Sequence, residues 1–309
     1  MTDQRSRDMK NERSGRKIGI LGGDARQLAV IRGLSEKYEC AVWGFDKVYG
    51  TPEESCLTDA VRCADWESAV RGSEAVILPL PCTADGENLN APLTKSGKIP
   101  SLTEIADRMR RGSILVGGML PSLYKRYVSE TGIAVSDYFE SEELQIRNAV
   151  PTAEGAIAAC MNTLPVTIAG MKTAVFGYGR VGRTLAQRLA ALGAEVYAVA
   201  RSGKDRAWAD CDRCIPVPLE EYREEPLRLD ALFNTVPHCI FDEALLPKLP
   251  SGTVIFELAR GGVDLKEAEK YGIRVIPLPS LPGKTAPVTA GEIIRSAVEE
   301  ILKNNDGIH

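Results

Sequence analysis

Three glycines, Gly177, Gly179 and Gly182, stand in the string GYGRVG, directly after an apolar run at 173–176 (TAVF) and directly before RTLAQRLAALG at 183–193. This order predicts a strand, a tight turn and a helix whose unpaired N–H groups can receive a pyrophosphate. The first glycine allows the turn, the second lets the phosphate approach the backbone, and the third lets helix and strand pack closely. Gly177, Tyr178, Gly179, Arg180, Val181 and Gly182 are therefore the expected pyrophosphate contacts, and the implied chemistry is hydride transfer with a nicotinamide dinucleotide. The next strand, EVYAVARS, ends without the acidic residue that an NAD ribose would engage; Ala200 is followed by Arg201 and Ser202. A guanidinium and a hydroxyl suit a 2′-phosphate, so NADP is expected in preference to NAD. Asn234, Thr235, Val236 and Pro237 end the fourth strand of the same half and are expected to line the cofactor.

Groups able to move protons or hold anions lie elsewhere. His238 follows that strand end and is a candidate acid/base, against the plainer reading of a bystander in a loop. The stretch 281–291, LPGKTAPVTAG, reads as a proline-rich substrate loop carrying Lys284, Thr285 and Thr289, with Lys284 as anion clamp or proton donor. A hinge loop is the alternative. Near the start, Gly22, Gly23, Asp24, Arg26 and Gln27 form a second glycine turn that lacks the full dinucleotide fingerprint. It is either a cradle for a substrate carboxylate, with Arg26 as a further catalytic candidate, or a plain tight turn with a solvated arginine.

Elements that would position these groups recur in two series. The first alternates KIGILGG, CAVWGF, AVILPLP, SILVGGM and IAVSDY with helical stretches at 101–111 and 121–131 that close on Gly112 and Gly132. The second runs TAVFGYG, AEVYAVA, CIPVP, ALFNTVP, TVIFELA and IRVIPLP. The expected fold is α/β, two doubly wound parallel-sheet (Rossmann-like) domains with a cleft between them. A substrate-side domain is expected over 17–147 plus 289–305, and a nucleotide domain over 148–288, of which 148–170 is a buried connecting helix. Pro79, Pro81, Gly117 and Gly118, at strand ends of the first half, are expected to wall the cleft.

Composition narrows the partners. With 38 basic and 42 acidic side chains the net charge is −4, so no global basic field exists for nucleic acid or an anionic membrane, and a small molecule is the expected partner. The longest apolar stretch, 155–171, is too short and too interrupted to span a bilayer. Residues 1–16 mix charges without an apolar run and read as a disordered tail, not an export signal. Eight scattered cysteines suit a reducing cytoplasm. Cys211 and Cys214 form a CxxC, but with only His238 and His309 and no second such pair, no metal site is expected.

Taken together, GGDARQ, PLP with Asp85 and Gly86 following, NAVPTAEGAI, VFGYGRVG, FNTVP and LPGKTAPVTAG resemble the dipicolinate synthase A-chain family, from about residue 17 to 301. Single motifs are shared with alanine, 2-hydroxyacid and shikimate dehydrogenases; PTAEGAI and LPGKTAP in this order are more particular. The resemblance implies oxidation of a dihydrodipicolinate from the lysine pathway to pyridine-2,6-dicarboxylate in the cytoplasm of a sporulating mother cell, with a flavoprotein-like B chain as partner and room for a homo-oligomer. A dianionic substrate needs cations at both ends, for which Arg26, Arg260 and Lys284 are the candidates, with Thr285 and Thr289 as hydrogen donors. Position 260 departs from the family pattern, which predicts a serine there. Two other readings stay open: another small-acid NAD(P)-dependent dehydrogenase, and a non-catalytic protein that binds cofactor or product for a partner.

Overall fold

The computed structural model describes residues 15–95 and 97–306, so the expected tail lies outside the described residues apart from Gly15 and Arg16, as does His309. Among the described residues, those up to Gln145 and those from Pro287 onward pack as one unit, and Ile146–Ala286 form a second.

Short β-branched runs make the first sheet: β1 (Lys17–Leu21), β2 (Glu39–Trp43), β3 (Val61–Arg62), β4 (Ala75–Ile77), β5 (Ile114–Gly117) and β6 (Ala134–Asp137). All pair in parallel, in the order β3-β2-β1-β4-β5-β6. A parallel sheet covered on both faces needs apolar residues at every position, not every second one. Ile18, Ile20, Val42, Ile77 and Val116 enter one core, and Leu21, Ala41, Val76 and Leu115 enter the other. Helix α1 (Ala25–Ser35) follows β1 and lies against the C-terminal helix of the chain (Pro287–Asp306). Gly291 permits that approach, since any side chain there would overlap the Arg26 carbonyl. Ile294, Val298 and Leu302 of the C-terminal helix then complete the first core, which is why residues so distant in sequence belong to this unit.

The second unit repeats the plan with β7 (Lys172–Phe176), β8 (Glu195–Ala200), β9 (Ile215–Pro218), β10 (Ala231–Asn234), β11 (Val254–Glu257) and β12 (Arg274–Pro277), in the order β12-β11-β10-β7-β8-β9. Counted from its own first strand this is the same order, and the fold is the α/β pair of doubly wound parallel sheets that the alternation predicts. In each sheet the order reverses beside the first strand, so the carboxyl ends of β1 and β4, and of β7 and β10, are where such sheets bind ligands.

Two expected elements are corrected. The connecting helix, expected over 148–170, is α2 (Glu142–Thr163). Glu142 and Glu143 favour a start at that point by complementing the helix dipole. Pro165, which also disfavours a helical Leu164, ends it early. Its burial is one-sided: Ala153, Ala156 and Cys160 are enclosed and Met161 is exposed. The expected loop at 281–291 is mostly helical. Helix α3 covers Arg180–Ala191, α4 covers Gly203–Cys211, α5 is Leu281–Thr285 and, after a break at Ala286, the C-terminal helix α6 begins at Pro287. Prolines 282 and 287 occupy first turns, where the missing N–H would have had no partner.

Candidate functional site

The turn after β7 is built from three glycines needed for three different reasons. Gly177 has φ of 85°, and a Cβ there would meet Val236 Cγ2 at 2.7 Å and Thr235 Oγ1 at 2.8 Å. A side chain at Gly182 would overlap the Gly177 carbonyl, so the helix can reach the strand only with glycine. Gly179 answers to neither constraint: its φ is −78°, and a Cβ there would meet nothing within 4 Å. Gly179 is also the N-cap of α3, and among the described residues no side chain caps that helix. An uncapped helix N-terminus facing open space over a glycine is what a bound pyrophosphate requires, so the turn fits a dinucleotide.

Neighbouring side chains brace the turn from behind. The Tyr178 ring is buried, and its hydroxyl donates to Asp212 Oδ2 at 3.1 Å. Arg183 donates to the same carboxylate through Nε (2.7 Å) and Nη2 (3.1 Å), with its guanidinium 4.1 Å from the Trp208 ring centroid. The Arg183 guanidinium holds the Asp212 carboxyl below its ordinary range. Arg183 is thus committed to Asp212 although it stands in the first turn of α3, and Tyr178 offers the site its backbone alone.

β8 closes on buried Ala200, and Arg201 and Ser202 follow, both exposed. The Arg201 side chain has no hydrogen bond or ion pair among the described residues. Ser202 caps α4, accepting from Asp205 N at 3.4 Å. Two cations not singled out from the sequence stand beside them. Lys204 is exposed in the first turn of α4, and Arg206 Nη1 donates to the carbonyls of Ala200 (3.1 Å) and Arg201 (2.7 Å). Their signal was the spacing in RSGKDR.

Thr235 closes the turn from the β10 side, donating through both N (3.0 Å) and Oγ1 (2.8 Å) to the Phe176 carbonyl. Pro237 is exposed just beyond it. Asn234, expected to line the cofactor, is fully buried instead and serves as support. Its Oδ1 accepts from Val236 N (3.2 Å), and its Nδ2 donates to Val236 O (3.2 Å) and to both carboxylate oxygens of Glu257 (3.1 and 3.0 Å). Glu257 was missed in the sequence; its signal was an acid ending the otherwise apolar strand TVIFE. Burial pushes its carboxyl above the ordinary range.

His238, Arg260 and Lys284 are all exposed, and none makes a hydrogen bond or ion pair among the described residues. His238 follows β10 and Arg260 follows β11, on loops joined where Gly262 O accepts from Ile240 N (3.0 Å) and Phe241 N (3.1 Å). Lys284 and Thr285 are on α5 of the second unit, whereas Thr289 is on α6 of the first.

The glycine turn of the first unit differs in kind. Gly22 N donates to Trp43 O and Gly23 N to Asn90 O, each at 2.9 Å. Asp24 caps α1, accepting from Arg26 N at 3.0 Å, and its carboxylate is gripped by Arg26 Nε (2.9 Å) and Nη2 (2.8 Å). Arg26 Nη2 also donates to the Leu80 carbonyl, and the residue is 5% exposed. The anion expected at this cradle is therefore supplied by the chain itself, which engages Arg26 Nε and Nη2. A segment around Asn90 covers the turn, since a side chain at Gly22 would meet Asn90 O at 2.9 Å. Gln27 keeps an unengaged group: its Nε2 is buried without a hydrogen-bond partner among the described residues. One nucleotide per chain is the expected stoichiometry in calorimetric titration, and two would contradict this occlusion. A cavity of about 600 Å³ beside Asn90 is lined by Asp85 and Asn88. Hydrogen bonds from Asn88, Glu87 and Thr83 hold the Asp85 carboxyl well below the usual carboxylate range.

Among the described residues no three His, Cys, Asp or Glu side chains gather as a metal site, and no helix is long and apolar enough to cross a membrane. The reversal of strand order at β7 and β10, together with the uncapped turn, defines a dehydrogenase-type dinucleotide-binding unit. Consistently, residues 143–268 match the family model of the D-isomer specific 2-hydroxyacid dehydrogenase NAD binding domain, and residues 17–139 match that of the N-terminal domain of the dipicolinate synthase A chain. The dipicolinate synthase A chain of Bacillus subtilis (strain 168) is 32% identical over 292 residues, 94% of this chain and 96% of that one. The chain belongs to the dipicolinate synthase A-chain family. The crystal structure of the dipicolinate synthase A chain from Bacillus subtilis superposes with a TM-score of 0.83 at 31% identity, over 97% of this chain and 100% of that one. The corresponding protein from Bacillus halodurans gives 0.83 at 29%, over 94% and 98%. A transhydrogenase from Sinorhizobium meliloti, at 0.68 and 13% over 93% of each chain, shares the fold.

Proposed function

We propose that this chain oxidises a dihydrodipicolinate to dipicolinate with NADP as the hydride acceptor. The observation that carries the reading is the open space over Gly179 at the uncapped N-terminus of α3, in a member of this family. The backbone from Gly177 to Gly182 holds the pyrophosphate, Thr235 and Val236 wall it, and Arg201 with Lys204 and Arg206 receives the 2′-phosphate. When bound, the nicotinamide supplies the hydride-accepting carbon.

Aromatising a dihydropyridine removes one hydrogen as hydride and one as a proton, so a base must take the proton. The unengaged imidazole of His238 is the candidate. Arg260 and Lys284 are the cations for the two carboxylates, with Thr285 and Thr289 as donors, while Arg26 acts on Asp24 and Leu80. By the same reading the chain works with a flavoprotein-like B chain, in the cytoplasm of a sporulating mother cell. Substrate profiling tests the assignment: NADP is expected to be reduced with dihydrodipicolinate and not with 2-hydroxy acids or shikimate-type alcohols. The opposite pattern overturns it.

A further inference from the structure

A carboxyl group buried at the end of an apolar strand, with no cation beside it, is expensive to keep. Glu257 is such a group: it is 8% exposed, and no Lys or Arg pairs with it among the described residues. Its side-chain partner is the Asn234 amide, whose Nδ2 reaches both carboxylate oxygens. Asn234 stands directly opposite in the β10–β11 register. Gly262 leaves room for the pair, because a side chain there would overlap Asn234 Nδ2.

The chemistry explains why an acid stands here and not its amide. An asparagine side chain can sit in either of two flipped orientations, and only its hydrogen-bond partners decide between them. A carboxylate accepts and does not donate, so it forces Nδ2 toward Glu257 and leaves Oδ1 for the Val236 N–H. In that orientation Asn234 holds both the N–H and the carbonyl of Val236, whose methyl bears on Gly177. A glutamine would offer one acceptor and one donor in place of two acceptors, so that side would no longer by itself dictate the orientation of the Asn234 amide.

We infer that Glu257 is a positioning residue of the nucleotide site: by fixing the orientation of Asn234 it locks the Thr235–Val236 wall over Gly177. This role rests on the nucleotide reading of that turn. The test is calorimetric titration of the full chain with NADPH, with thermal melting of the nucleotide-free protein alongside. Glu257→Gln is expected to raise Kd about tenfold, equivalent to about 1.4 kcal/mol of nucleotide binding. Nucleotide-free Tm should be equal or higher, because a buried charge has been removed. Glu257→Asp, shorter but still two acceptors, should fall between the wild type and Glu257→Gln.

A group that merely fills space gives the reverse order, with the isosteric glutamine binding better than aspartate, and that order overturns the inference. So does a Glu257→Gln protein that binds like the wild type, or one whose weaker binding comes with a lower nucleotide-free Tm. If Glu257→Gln does not fold, Glu257→Asp decides alone, and an unchanged Kd overturns the role. A wild-type chain that takes up no nucleotide overturns the dinucleotide reading and this role with it, whereas every other contrary result overturns the role alone.

Discussion

Replacing Gly179 with serine is expected to raise the Kd for nucleotide about a hundredfold while leaving the nucleotide-free protein as stable as the wild type or slightly more so. The backbone at Gly179 is extended, at φ −78° and ψ −163°, and nothing lies within 4 Å of a Cβ built there, so the substitution strains nothing. Serine is moreover a better N-cap than glycine by a few tenths of a kcal/mol. Its hydroxyl would satisfy helix N–H groups that otherwise await a phosphate, and its bulk would occupy the pyrophosphate space. Losing two charge-assisted hydrogen bonds of about 1.5 kcal/mol each gives the hundredfold. Gly182→Ala makes the contrast, since overlap with the Gly177 carbonyl should lower Tm as well as affinity. Titration calorimetry and thermal melting on the two variants check both halves; a Gly179→Ser protein with wild-type affinity would remove the phosphate from this turn.

Arg201→Asp is expected to weaken NADP binding on the order of a hundredfold and to change NAD binding by less than about twofold. The side chain is exposed and unengaged, so the fold loses nothing when it is replaced. A carboxylate instead repels the 2′-phosphate and is the group that an NAD ribose hydrogen-bonds. Lys204 and Arg206 remain nearby and limit the loss. Paired titrations with the two nucleotides measure it, and equal losses for both would contradict a 2′-phosphate role for Arg201.

Features written in consecutive residues are legible without the fold. The parallel sheets follow from apolar runs such as KIGIL and TAVF, because both faces of each strand are covered. The glycine turn follows from GYGRVG standing between a strand and a helix. Strand β3 escapes because Val61 and Arg62 are both exposed and leave no apolar run. The proline-rich stretch after Ser280 looks like a loop because prolines at helix starts and prolines in loops read alike until the first turns are seen.

Features that depend on distant residues are not legible in this way. Arg26 looks available for a substrate until its packing shows its guanidinium on the carbonyl of Leu80, 54 positions away, as well as on Asp24. The covering of Gly22 and Gly23 by Asn90 joins positions nearly 70 apart in sequence. Asn234 and Glu257 each end an apolar strand, and only the pairing of β10 with β11 shows that they face one another. Polar residues ending neighbouring strands of a parallel sheet are a signal that could have revealed that pair.

Supplying the purified chain with dihydrodipicolinate and NADP, and measuring NADPH and dipicolinate in the same reaction, tests the proposed oxidation most directly. Equal molar amounts of the two products, both well above the background measured without the chain, are the predicted result. Dipicolinate formed without matching NADPH, or nucleotide binding without turnover whether or not the B chain is added, would contradict it.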